Sequence, residues 1–100
     1  MIRGTTPTLT FNLPFDASNI KTAWVTFSQF NVEVFTLENE ELAMDGLTIS
    51  AKLTQEQTLS LSKNDDVEIQ LRILTNSGDA IASNIMKTSV GNILKDGEIT

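Results

Sequence analysis

The chain contains no cysteine, no histidine and no tyrosine. Without cysteine it has no disulfide framework and no thiolate metal site. Without histidine it lacks the commonest metal ligand and the commonest general base. No Ser-His or Cys-His nucleophile can be assembled, so an enzyme would have to work with carboxylates or lysine. Only two prolines, five glycines and one tryptophan occur among the 100 residues. The glycines are isolated, which excludes a glycine-rich phosphate loop. No run approaches the ~20 apolar residues that span a bilayer. The start, Met1 to Pro7, has a single positive charge and no apolar stretch, unlike a signal peptide.

Positive charge is also scarce. Seven Lys and Arg stand against 13 Asp and Glu, for a net charge of −6, and the cations are scattered singly. Phosphate backbones and anionic membrane surfaces attract clustered cations, so direct nucleic-acid or membrane binding is disfavoured. The length fits a single domain over residues 1–100, with 40% apolar content, enough for one core.

What is present is alternation. In Asp66 to Thr75, Val67, Ile69, Leu71 and Ile73 alternate with Glu68, Gln70 and Arg72, the period of a strand with one dry face. Asn76-Ser77-Gly78-Asp79 then turns the chain. Pro7–Leu13 places Leu9, Phe11 and Leu13 on one face. Ile20–Gln29 places Ala23, Val25 and Phe27 opposite Trp24, Thr26 and Ser28. After the short Phe30-Asn31 connection, Val32–Leu37 pairs back, with Glu33, Phe35 and Leu37 expected on one face. Asp45-Gly46 reads as a type I′ turn between Leu42–Met44 and Leu47–Leu53, whose Leu47, Ile49, Ala51 and Leu53 make an inward face. Thr54-Gln55-Glu56-Gln57 matches a capping box and predicts one helical turn over residues 55–59. Ala80 to Val90 forms the last strand. Its apolar residues change parity, Ile81 and Ile85 against Ala82, Met86 and Val90, so a bulge is expected within it. The tail residues Ile93, Leu94 and Ile99 are expected as a small lid or a final edge strand.

Six or seven short strands with turn signals every eight to twelve residues make this an all-β protein. The expected fold is an immunoglobulin-like antiparallel β-sandwich, with a small antiparallel β-barrel as the alternative.

No residue pattern carries catalysis. Glu38, Glu40, Glu41 and Asp45 cluster at one loop but follow no calcium-loop spacing, and read as a solvated turn. Asp65 and Asp66 with Asp79 are a second acidic group, placed at a common end of the sandwich. An enzyme would need two of these carboxylates to converge. No metal or cofactor is expected. Trp24, Phe30, Phe35, Leu37 and Leu74 lie off the cleanest inward faces. The first four are the candidate interaction surface, and Trp24 with Phe35 is the candidate sugar-stacking pair.

Several segments together resemble a family of small uncharacterised proteins encoded in phages and prophages of Firmicutes. They are Arg3-Gly4-Thr5-Thr6-Pro7-Thr8, Phe11-Asn12-Leu13-Pro14-Phe15-Asp16, Lys52 to Leu59, Ile69 to Ser83 and Ser89 to Leu94. The resemblance implies a non-enzymatic capsid, tail or baseplate accessory component, in the virion or the host cytoplasm. Its partners would be other phage structural proteins or further copies of itself. The alternative is a carbohydrate-binding adhesion module.

Overall fold

A computed structural model describes residues 1–100 and contains two antiparallel sheets. The strands are β1 (Thr8–Asn12), β2 (Ile20–Gln29), β3 (Val32–Leu37), β4 (Leu42–Asp45), β5 (Thr48–Lys52), β6 (Asp66–Thr75), β7 (Ala80–Ala82) and β8 (Met86–Ser89). One three-stranded sheet has the order β1-β5-β4. The other has the order β3-β2-β6-β7, with β8 also on β6. That is the strand order of an immunoglobulin-like sandwich lacking its first strand, B-E-D facing C′-C-F-G. The two sheets keep separate edges, so the molecule is not a closed barrel. No helix is long and apolar enough to cross a membrane.

The alternating residues of β2 and β6 make the core. Ala23, Val25 and Phe27 face it from β2, and Val67, Ile69, Leu71 and Ile73 from β6; all seven are buried. Ile49, Ala51 and Leu53 close it from the opposite sheet. Phe27 is fully buried and stacks on Phe35, with ring centroids 4.5 Å apart. Truncating such a ring to alanine costs about 3–5 kcal/mol, because surrounding strands cannot collapse into the gap.

Side chains fill places where the ladders stop. Beyond Leu37 the chain leaves β2, and Asn39 takes over the pairing: its Oδ1 accepts the Ala23 N–H at 2.6 Å and its Nδ2 donates to the Lys21 carbonyl at 2.9 Å. Gln29, buried at the other end of β2, exchanges two bonds with the Ser62 backbone. The capping box is present: Thr54 Oγ1 accepts the Gln57 N–H while the Gln57 side chain accepts the Thr54 N–H. It starts α1 (Gln55–Leu59), the helical turn expected there.

Arg3 ties the termini together. Its Nε donates to the Leu61 carbonyl at 2.9 Å and its Nη2 to the Leu59 carbonyl at 3.0 Å. Its Nη1 donates to Asn92 Oδ1 and to Asp96 Oδ1, both at 3.2 Å. Alongside it, Ile2 forms a parallel bridge with Gly91, just past β8.

Several expectations need correction. The β4–β5 hairpin pairs Asp45 with Thr48, so its turn residues are Gly46 and Leu47 rather than Asp45 and Gly46. Only Gly46 has positive φ, +55°, the sign pattern of a type II′ turn rather than I′. Leu47 thereby sits in the turn and is exposed, not inward. The type I′ pattern occurs instead at Phe30-Asn31, with φ of +55° and +61°. In β3, Ser28 pairs with Glu33 but Phe27 pairs with Phe35, so one extra residue, Val34, bulges. The bulge turns Glu33 outward, away from the face of Phe35 and Leu37. In the tail, Ile93 packs near Gly4, while Leu94 and Ile99 are exposed and form no strand.

The bulge expected in the last strand is there. Arg72 pairs with Ala82 and Ile69 with Met86, so β6 advances three residues while its partner advances four. Ser83 makes the break: its N–H donates to the Leu71 carbonyl, but its Oγ, not its carbonyl, accepts the Leu71 N–H. One edge strand thus becomes two pieces, which accounts for eight strands where six or seven were expected.

Candidate partner-binding edge

Trp24 lies on the outer face of β2, directly opposite Arg72 on β6. The Arg72 guanidinium carbon is 5.5 Å from the ring centroid, a cation–π contact, and Trp24 stays 39% exposed. The other residues expected to share its surface do not join it. Leu37 is 1% exposed and belongs to the core. Phe35 is half-buried against Phe27. Both face inward because the Val34 bulge sets the parity of β3. Phe30 is 67% exposed, but at the hairpin tip, roughly 20 Å along β2 from Trp24 at about 3.3 Å per residue. The proposed four-residue surface therefore reduces to Trp24, with Phe30 remote, and Trp24 and Phe35 do not form a pair of platforms on one face.

The neighbours of Trp24 come from β6 and β7 instead. Leu74, Ala80, Ile81 and Ala82 join Trp24 and Arg72 around an open hollow of about 510 Å³. On the outer face, Ala82 continues the row after Trp24 and Arg72, and Ala80 the row after Leu74. Two methyl groups form the floor where longer side chains would fill it. Ile81 pairs with Ile73 and so points to the core side, yet it is 42% exposed, and Met86 is 40% exposed. The opposing sheet has only three strands and leaves this edge uncovered. Ile85, at the bulge, is 58% exposed.

The backbone of β7 is open as well. The N–H groups of Asp79 and Ser83 point to β6, bonding Thr75 Oγ1 and the Leu71 carbonyl. By strand alternation the N–H and C=O of Ala80 and Ala82 point away from the sheet. The other edges carry protection of the kind that blocks strand addition. β3 carries Glu33, β4 follows Glu38, Glu40 and Glu41 and ends at Asp45, and β1 is bracketed by Pro7 and Pro14. β8 carries Lys87, and its Ser89 carbonyl accepts the N-terminal amine of Met1. β7 has no charge and no proline. From the sequence, the exposed Leu74 parity was the one available signal. The role of Arg72 and the two alanines depends on a register that only the fold sets.

No group of three or more His, Cys, Asp or Glu could hold a metal ion. Asp65 and Asp66 stand at the start of β6 and Asp79 beyond its far end, so the expected common end does not exist. Asp16 has a clear capping role: its carboxylate accepts the Ser18 N–H at 2.9 Å and starts a 3₁₀ turn. That backbone bond, with a further one from the Ser18 side chain, holds its pKa below the ordinary 3.8.

No protein-family model, curated protein or solved structure matches the chain.

Proposed function

We propose that the protein is a non-enzymatic structural or interaction component of a phage or prophage particle, working by association of its sandwich with partner proteins or further copies. The resemblance of its segments to small proteins of Firmicutes phages supplies the setting. The observation that carries the association is the uncovered β7–β8 edge, where Ile81 lines the Trp24 hollow and Ile85 and Met86 are exposed further along. Exposed apolar side chains next to unpaired strand backbone are costly for a lone protein, and are a common form of protein-binding surface.

Size-exclusion chromatography with light scattering, together with mass spectrometry of purified particles, tests this. The expected results are a mass above that of one chain, or the protein's presence in particles. A strictly monomeric protein absent from particles would sink the proposal.

The exposed ring of Trp24 also supports the second reading, a carbohydrate-binding adhesion module. Its geometry is less favourable, because Arg72 already stacks on the ring. Saturable quenching of Trp24 fluorescence by host-surface glycans is the expected result under that reading, and an unchanged spectrum would end it.

A further inference from the structure

We infer that β7 is an acceptor edge for one extended segment of a partner protein, a segment that carries an acidic side chain destined for Arg72. This deepens the association reading and rests on it. Three observations converge. The outward backbone groups of Ala80 and Ala82 are unpaired and can bond a further strand, the mode by which many domains capture extended peptides. An added strand would lie about 4.8 Å beyond β7, so its residue opposite Ala82 stands two strand spacings from Arg72. The Ala82 methyl leaves the space between them open as part of the hollow.

The charge specifies what fills that space. Arg72 leans over Trp24 and has no carboxylate partner; the molecule's only ion pair joins Arg3 and Asp96. A protein of net charge −6 thus presents an unpaired guanidinium one strand in from an edge strand that carries no charge and no proline of its own. Guanidinium groups bind carboxylates through paired, charge-assisted hydrogen bonds. The period of two sets the rest of the segment: an apolar residue next to the acid faces Ile81, and the residue after that lies over Ala80 against Leu74.

The test uses Trp24, the only tryptophan, as the reporter. Three synthetic peptides of alternating Thr and Val carry a central Glu, Gln or Lys. The Glu peptide is expected to shift Trp24 emission saturably and to slow hydrogen exchange at the Ala80 and Ala82 amides. The Gln peptide should bind at least tenfold more weakly and the Lys peptide not at all. Arg72→Gln should erase the preference for Glu. Ala82→Pro, which removes only an outward N–H, should weaken all binding, with circular dichroism confirming the fold. Emission unmoved by millimolar Glu peptide, or equal binding of all three peptides, would overturn the inference. So would a wild-type dimer that Ala82→Pro dissolves, since the occupant would then be a second copy. If the Glu peptide fails while the wild type is found in particles, the edge site is lost and the association reading stands.

Discussion

Replacing Arg3 by alanine removes four donated hydrogen bonds at once. Two of them end on the part-buried carbonyls of Leu59 and Leu61. The Arg3 side chain is only 14% exposed, so water replaces these donors poorly. Hydrogen bonds from charged groups contribute about 1.5–3 kcal/mol each, and two sharing one guanidinium are not additive. The bond to Asp96 counts for much less: that carboxylate is 76% exposed, and such pairs contribute about 0–1 kcal/mol. The expected loss is about 3 kcal/mol, a large part of the roughly 5–15 kcal/mol that holds such a domain. For a chain of this size it corresponds to a fall in melting temperature of about 15 °C. Thermal and urea denaturation of Arg3→Ala, Asp96→Ala and the double variant separate the contributions. Asp96→Ala should cost under about 1 kcal/mol and be masked by salt, while the Arg3→Ala loss should persist at high ionic strength. An Arg3→Ala variant within about 1 kcal/mol of wild type, or a loss that salt abolishes, would refute the clamp.

Other substitutions probe the side chains that complete the ladders. Asn39→Ala strands the N–H of the fully buried Ala23 and should cost about 1–3 kcal/mol, with faster hydrogen exchange at that amide. Thr54→Ala removes one half of the capping box and should cost about 1 kcal/mol in urea denaturation; a loss near zero would mean that packing alone holds α1. Asp16 titrates with a folded pKa below 3.8, so its contribution is fully present above about pH 3.8 and is lost as pH falls through the depressed folded value. Asp16→Asn should therefore flatten the acid limb of the stability profile below that pH, and an unchanged limb would exclude the cap as its source.

The elements that could be read from the chain are those whose signals are local. The alternation of Val67 to Ile73 needs only its own residues to declare a half-buried strand, and the capping box at Thr54 needs only four. The sandwich follows from such segments and the turns between them. Even the break in the last strand is visible, because apolar parity changes between Ile81 and Met86. Arg3 was unreadable as anything but a scattered cation, since its acceptors lie more than fifty positions away. Leu37 and Phe35 face the core rather than the outer surface for a comparable reason: a single extra residue in β3 reverses which side chains face the core, and no local signal marks it.

Residue type and period by themselves determined an all-β sandwich, the approximate places where the chain turns, and the absence of histidine and cysteine chemistry. Tertiary structure alone decided the candidate surface. Trp24 on β2, Arg72 on β6 and Ala82 on β7 become neighbours only through strand register. The β7 edge is open only because a three-stranded sheet faces a wider one. Hydrophobic period is a property of a segment and survives in the sequence. Coverage and register are relations between segments distant along the chain, and exist only once the sheets have packed.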